Sequence, residues 1–286
     1  MRTEPDCAAC FARQAWEVPA LFGASGEAAA RVIEAVRGEL SRFSRTRTPP
    51  EMGGILHAIV RRELALADPY AELKARDDAR AMAILGDIRR LVARAADPFA
   101  AAVRAAIAGN IIDFGAPAGD VDADVRGLVR DALSRELSAA AENALVALAL
   151  RAKGARRVLY LADNAGEIAL DRLLVERLPQ GAVTVAVRSA PVINDALLAD
   201  AIAVGMQDVA EVIESGSAIP GTLLDAATGE FRSRFAAADL VVAKGQGNFE
   251  TLSEVDAPIA FLLIAKCEVV ARRLGCAVGD FAIVVR

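Results

Sequence analysis

The stretch RVLYLADNAGEIALD, residues 157–171, joins an apolar run to a helical pattern through a short polar segment. The apolar run is rich enough in large and β-branched residues to predict a buried strand, and apolar residues recur at helical spacing after it. Asp163, Asn164, Gly166 and Glu167 lie between the two. Because open α/β sheets bind ligands at the carboxyl ends of their strands, this junction predicts a site for a metal ion or an anion.

Short β-rich runs alternate with helical patterns throughout the second half of the chain. The runs lie at residues 157–162, 182–187, 210–214, 239–243, 259–265 and 281–285. Such alternation predicts a mostly parallel sheet with helices on its faces. We therefore expect residues 153–286 to form a Rossmann-like α/β/α core.

Residues 1–152 carry helical patterns punctuated by proline and glycine, without period-two strands. Apolar residues recur at spacings of three and four in the segments 27–43, 53–67, 70–96 and 121–152. Pro and Gly interrupt the patterns between these segments. No long linker separates the two halves, so we expect the helical region to pack on the sheet and to leave a cleft between them.

Composition and charge exclude several classes of protein. The formal net charge is −5 and aromatic residues make up 5 % of the chain, which argues against a nucleic-acid partner. No apolar run reaches the ~20 residues of a membrane span, and no signal peptide pattern is present, so we expect a cytoplasmic location and no membrane partner. The four cysteines do not suggest a disulfide framework.

Two polar motifs at predicted strand ends suggest a metal site. They are DNAGE at residues 163–167 and PVINDA at residues 191–196. Carboxylate and amide oxygens are hard ligands suited to Mg²⁺, Mn²⁺ or a related ion, so Asp163, Asn164 and Asp195 form a plausible ligand set. Each motif taken alone is also compatible with an ordinary turn or helix cap.

A third motif, KGQGNFE at residues 244–250, follows another predicted strand. Its glycines would let backbone N–H groups approach an anion, and the Lys244 ammonium would neutralise that anion. Lys244 and Gly245 are therefore candidates for phosphate binding. A simple turn of the chain explains the Gly-Gln-Gly segment equally well.

The chain resembles the metal-dependent damage-control phosphatases, also known as domain of unknown function eighty-nine. The resemblance lies in six segments that occur in the family's order: CAACFARQA at 7–15, DPYAELK at 68–74, GNIIDFG at 109–115, LADNAGEIALD at 161–171, PVINDA at 191–196 and AKGQGNFETL at 243–252. It is closest to the prokaryotic branch, whose members carry an N-terminal Cys-x-x-Cys.

The resemblance implies a helical N-terminal region on a Rossmann-like core with one divalent ion, cobalt, nickel, manganese or magnesium, in the cleft. The family's metal-binding residues fall on Asp163, Asn164 and Asp195, and its phosphate-contacting lysine falls on Lys244. Family members hydrolyse phosphate monoesters such as sugar phosphates and damaged metabolites, which makes a small phosphorylated metabolite the expected partner. The resemblance also makes Asn110 a candidate for phosphate binding.

The chemistry of these residues fits phosphate ester hydrolysis, because a metal can neutralise charge and orient an attacking water with few proton-transfer groups. We therefore expect Asp163, Glu167 and Lys244 to be catalytic. Glu167 or Asp171 could serve as a base or support a metal ligand, although an acid in a first helical turn is also stabilising in itself. Water attack and a phosphoryl intermediate on Asp163 both remain open.

Further candidates from the helical half are Asp68, Lys74 and Asp113, each of which also fits a turn or a helix end. Cys7 and Cys10 are best explained as packed thiols, with transient oxidation as the second interpretation and closed structural zinc disfavoured. The lone histidine, His57, is expected to be structural.

Two other functions compete with the phosphatase. An S-adenosylmethionine-dependent carboxyl methyltransferase also uses an acid-and-glycine loop after a strand, but residues 163–167 contain a single glycine. A dinucleotide oxidoreductase is excluded because no G-x-G-x-x-G motif follows the first strand. A metal- or metabolite-binding module without turnover is compatible with the same residues.

Overall fold

The computed structural model describes residues 1–24, 26–42, 44–111 and 125–286. The described part of the first half is helical. Its helices are α1 (Pro5–Leu21), α2 (Gly26–Leu40), α3 (Pro49–Leu64), α4 (Ala71–Arg94), α5 (Pro98–Ala108), α6 (Val125–Leu133) and α7 (Ala139–Gly154).

The second half alternates strands with helices, as the sequence predicts. The strands are β1 (Val158–Leu161), β2 (Val183–Val187), β3 (Glu211–Glu214), β4 (Leu240–Lys244), β5 (Ile259–Ile264) and β6 (Phe281–Val285). The helices are α8 (Glu167–Val175), α9 (Leu198–Ala203), α10 (Gly229–Ala237), α11 (Gly245–Leu252) and α12 (Glu268–Leu274).

The six strands form one sheet in the order β3-β2-β1-β4-β5-β6. Neighbouring strands are parallel except at β6, which runs antiparallel to β5. The sheet therefore confirms the predicted α/β class. The order reverses between β1 and β4, which are adjacent in space but far apart in sequence, and such a reversal opens a crevice at the carboxyl ends of the strands.

Alternating residues of β1 enter two apolar cores, one on each face of the sheet. Val158 and Tyr160 pack in the core formed with α4–α9. Leu159 and Leu161 pack in the core formed with α1–α3 and α10–α12. A strand that is buried on both faces has to be apolar throughout, which explains its continuous apolar run. The helices of the first half thus cover both faces of the sheet.

The helical pattern over residues 121–152 does not correspond to one continuous helix. In its described part the chain forms α6 and α7, separated by residues 134–138. Ser138 ends the break, because its side chain accepts a hydrogen bond from the backbone N–H of Ala141 and caps α7. Residues 121–124, like Phe43 at the end of another predicted segment, lie outside the described residues.

Three of the described helices begin at proline residues, and two of these, α1 and α5, lie outside the four segments named from the sequence. Pro5 lies in the first turn of α1, and Pro98 lies in the first turn of α5. Asp97 accepts hydrogen bonds from the backbone N–H groups of Phe99 and Ala100, so Asp97-Pro98 both ends the preceding helical region and starts α5. None of the described helices is long and apolar enough to cross a membrane.

Gly245 lies at the junction of β4 and α11 and faces the loop that follows β1. Its φ is +78°, and a Cβ built there would lie 1.9 Å from Oδ2 of Asp163. Only glycine satisfies both the positive φ and this close approach. The backbone at the junction of β4 and α11 therefore packs directly against the Asp163 carboxyl group.

We expect Gly245→Ala to lower the free energy of unfolding by about 2–4 kcal/mol, because it combines a left-handed backbone with overpacking. Urea denaturation followed by circular dichroism measures the change. Gly229→Ala is the matched control, because its φ is not in the left-handed region and its Cβ would meet no atom within 4 Å. Equal stabilities of the two variants would contradict this explanation.

Candidate active site

Backbone contacts join the loop after β1 to the loop after β2. The Asp163 carbonyl accepts the N–H of Ala196 at 2.8 Å, and the Asn194 carbonyl accepts the N–H of Ala165 at 2.9 Å. Asn164 and Asp195 form an isolated antiparallel bridge between these bonds. The two segments that sequence analysis assigned to the metal site are thus adjacent in space.

The Asp163 carboxyl group is buried among amide donors. Its Oδ2 accepts hydrogen bonds from Nδ2 of Asn110 at 3.1 Å and from Nδ2 of Asn164 at 3.2 Å. Burial, and then the nearby carboxylates of Glu167 and Asp195, raise the pKa of Asp163 well above its usual range. A cation beside Asp163 would offset this burial cost and repulsion, which makes the position favourable for a metal ion.

Arg188 fixes the Asp195 carboxyl group. It directly follows β2, is 1 % exposed, and its Nε donates to Oδ2 of Asp195 at 2.7 Å. Its guanidinium also donates to Oγ1 of Thr222 at 3.4 Å, and that hydroxyl donates to Oδ1 of Asn248 at 2.8 Å. These hydrogen bonds connect the end of β2 to α11 and limit the orientations that the Asp195 side chain can adopt.

Lys244 lies at the end of β4 with a fully buried side chain. Its ammonium donates to the Ala106 carbonyl at 2.8 Å, to Oε1 of Glu167 at 2.7 Å and to Oδ1 of Asp171 at 2.6 Å. Burial lowers the pKa of Lys244, but the carboxylates of Asp171 and Glu167 outweigh it and raise that pKa overall. Lys244 is therefore charged and ties β4 to α5 and α8.

The second carboxylate oxygen of Glu167 is held by amides. Its Oε2 accepts hydrogen bonds from Nδ2 of Asn110 at 2.6 Å and from Nδ2 of Asn164 at 3.2 Å. Glu167 thus connects Lys244 to the two asparagines that also contact Asp163. These residues form one buried network directly behind the Asp163 carboxyl group.

A cleft of about 470 Å³ opens at the carboxyl end of the sheet. Asp163, Asn164 and Asp195 line it, as the sequence predicts for a site at this edge. The buried network behind the Asp163 carboxyl group contributes three more predicted site residues. They are Asn110, Glu167 and Lys244, with exposures of 2 %, 1 % and 0 %. The structure thus separates the predicted site residues into a cleft-facing group and a supporting group.

Lys266 is a cleft residue that sequence analysis missed. It is half-buried, lines the same cleft, and its backbone N–H donates to Oε1 of Gln246 at 2.8 Å. It follows the end of β5, so the signal that drew attention to Asp163 and Lys244, a polar residue after an apolar strand, applied to it equally. Arg188, which directly follows β2, carries the same signal and was also missed.

Asp68 and Lys74, candidates from the helical half, pair with each other. The Lys74 ammonium lies 2.8 Å from Oδ2 of Asp68 and 3.5 Å from Oδ2 of Asp200. Their cluster lies where α4 meets the start of α9. Asp113, the third candidate from the helical half, lies outside the described residues.

Two cysteines and the lone histidine border the cleft on its helical side. Cys7 and Cys10 are free thiols that line it, and Cys7 also packs in the core that contains α1–α3. His57 lies in α3, and burial lowers the pKa of its imidazole to about 4. The imidazole is therefore neutral at pH 7 and does not titrate near that pH.

The donor atoms at Asp163, Asn164 and Asp195 suit a hard divalent ion. Two carboxylates and one amide supply oxygen ligands, and Gly245 leaves open the space beside Asp163 that a Cβ would fill. In the described parts of the chain, no three His, Cys, Asp or Glu side chains are grouped as a metal site. The amide of Asn164 is thus a necessary member of the proposed ligand set.

Comparisons with known proteins agree with this architecture. A crystal structure of a DUF89 family protein from Pyrococcus horikoshii superposes with a TM-score of 0.89 at 31 % identity, covering 98 % of each chain. A damage-control phosphatase of Pyrococcus horikoshii is 32 % identical over 96 % of this chain and 94 % of its own. One from Archaeoglobus fulgidus is 38 % identical over 79 % of this chain and 78 % of its own.

The sequence model of the damage-control phosphatase ARMT1-like domain matches residues 3–281. This match covers nearly the whole chain, and the Pyrococcus horikoshii crystal structure shares the fold over 98 % of each chain. The resemblance to the damage-control phosphatase family is confirmed. The chain belongs to the damage-control phosphatase family, also known as DUF89.

Proposed function

We propose that the protein is a divalent-metal-dependent phosphatase that hydrolyses small phosphate monoesters, such as sugar phosphates or damaged phosphorylated metabolites. The observation that carries the proposal is the convergence of Asp163, Asn164 and Asp195 on one cleft wall. Lys266 lines the same cleft and supplies a positive charge. A volume of about 470 Å³ suits a small metabolite rather than a polymer.

Asp163, Asn164 and Asp195 would hold the ion through oxygen atoms, which favours magnesium, manganese, cobalt or nickel over softer ions. Such an ion supplies charge neutralisation for a phosphate oxygen and orients the attacking water. The residues around the ligands fix their orientations: Arg188 bonds to Asp195, and Asn110 bonds to Asp163. The hydrogen bonds leave few alternative positions for the ligands.

Lys266 is our candidate for the phosphate contact in the cleft. Lysine binds phosphate as a point charge, and a half-buried position strengthens its attraction for an anion. The contact predicted for Lys244 and Gly245 is a separate proposal, and it requires the Lys244 ammonium to exchange one of its three present bonds for the phosphate. The three bonds of the Lys244 ammonium support a further role for Lys244, in which it positions Glu167 behind the metal ligands.

The proposal predicts that metal-depleted protein releases phosphate from p-nitrophenyl phosphate only when cobalt, nickel, manganese or magnesium is added. Asp163→Asn and Asp195→Asn each remove one ligand charge, so each should lower kcat/KM by at least about a hundredfold. Phosphate release is measured colorimetrically across a panel of phosphate esters.

Asp239→Asn is the matched control, because Asp239 is a carboxylate that bonds to the exposed Arg157 and to backbone groups outside the cleft. Its activity should equal that of the unaltered protein. Metal-independent turnover, or no turnover with any ion on any ester, would contradict the proposal. Methyl transfer to a carboxylate from S-adenosylmethionine would favour the competing enzyme.

Lys266→Met should raise KM for phosphate esters by about tenfold or more, because the phosphate dianion loses a half-buried positive partner. Steady-state kinetics with the activating metal at saturation measure the change. Lys153→Met on the exposed end of α7 serves as the control. An unchanged KM in Lys266→Met would show that the phosphate binds elsewhere in the cleft.

A further inference from the structure

Two buried carboxyl groups hold the loops that carry the proposed metal ligands. Asp78 of α4 accepts the backbone N–H of Gly166 at 2.6 Å through its Oδ1. Asp200 of α9 accepts the backbone N–H of Leu197 at 2.7 Å through its Oδ2. Gly166 lies two residues after Asn164 and Leu197 lies two residues after Asp195, so each bond fixes its loop directly behind the ligands.

The two carboxyl groups are also hydrogen-bonded to each other. They are 5 % and 8 % exposed, and the ammonium of Lys74, 3 % exposed, lies 3.5 Å from Oδ2 of Asp200. Burial, helped by the adjacent Asp200, raises the pKa of Asp78 to about 7 in spite of the lowering effects of the Gly166 N–H and of Lys74. A hydrogen bond between two carboxyl groups requires that one of them is protonated. The raised pKa of Asp78 favours its protonated form.

The approach of α4 to the first loop is close. Gly166 has φ of +72°, and a Cβ there would lie 3.0 Å from the carbonyl oxygen of Asp77. The loop therefore packs directly against the backbone of α4 at the residue before Asp78. Helix α4 thus determines where this loop lies relative to the rest of the sheet.

We propose that Asp78 and Asp200 are positioning residues that fix the spacing between the loops after β1 and β2, so that Asp163, Asn164 and Asp195 can share one ion. The inference rests on the proposed function, because it assigns a task to α4 in assembling the metal site. The hydrogen-bonded pair bridges the two loops through side chains that do not line the cleft. Removal of the Asp78–Asp200 pair would allow Asp163 and Asn164 to move away from Asp195, although all three ligands would still be present.

The test compares Mn²⁺ binding by Asp78→Ala, Asp78→Asn and the unaltered full-length protein, with free Mn²⁺ measured by electron paramagnetic resonance. Asp78→Ala removes the acceptor for Gly166 and the bond to Asp200, so its Kd should rise roughly 10–100-fold. Asp78→Asn keeps an acceptor for Gly166 and can donate to Asp200, so its Kd should stay within about threefold of the original.

Asp87→Ala is the matched control, because Asp87 lies on the same helix but pairs with Arg90 and Arg126 near the surface. Its Kd for Mn²⁺ should not change. Asp200→Ala tests the second member of the pair and should weaken Mn²⁺ binding as Asp78→Ala does. An unchanged Kd in a folded Asp78→Ala or Asp200→Ala variant would overturn the proposal, as would an Asp78→Asn variant as weak as Asp78→Ala.

Hydrogen–deuterium exchange without metal separates this inference from the proposed function. In Asp78→Ala, peptides that contain residues 163–168 and 195–199 should both exchange faster than in Asp87→Ala, because the bridge couples the two loops. This result can hold even if the unaltered protein binds no Mn²⁺, which would overturn the metal-dependent function alone. Faster exchange confined to residues 163–168 would contradict the bridge.

Discussion

The buried ammonium of Lys244 is the contact on which the site depends. Its three bonds connect the end of β4 to α5 through Ala106 and to α8 through Glu167 and Asp171. Tyr160 of β1 also donates to Asp171, at 2.8 Å, so β1 joins the same network. Loss of the ammonium would leave two buried carboxylates without their cation, which is costly in a low-dielectric interior.

The cleft is built in two layers around this network. Asp163, Asn164 and Asp195 face the open space, whereas Asn110, Glu167 and Lys244 lie behind them. Such a division lets the outer oxygens meet a cation while the inner groups keep them oriented. A site that acts through a metal ion needs preorganised ligands more than it needs a titrating histidine, and the only histidine of the chain is buried and neutral.

The sequence predicted those parts of the fold and site that depend on local pattern. The inner strands β1, β2, β4 and β5 are largely apolar because both of their faces are covered, and the polar residues after β1 and β2 stand out against such runs. The role of Asp78 depends on a contact with Gly166, which is distant in sequence, and leaves no local pattern. Arg188 directly follows an apolar strand, but its pairing with Asp195 depends on how the loop after β2 folds back. The break between α6 and α7 was missed because the apolar periodicity continues across the Ser138 cap.

We propose that the loops after β1 and β2 together hold one divalent ion. Crystals of the unaltered protein soaked in MnCl₂, with anomalous data collected at the manganese edge, test it most directly. We expect one strong peak in the cleft, about 2.0–2.3 Å from oxygen atoms of Asp163, Asn164 and Asp195. A cleft without a peak, or an ion bound by the thiols of Cys7 and Cys10 instead, would contradict it.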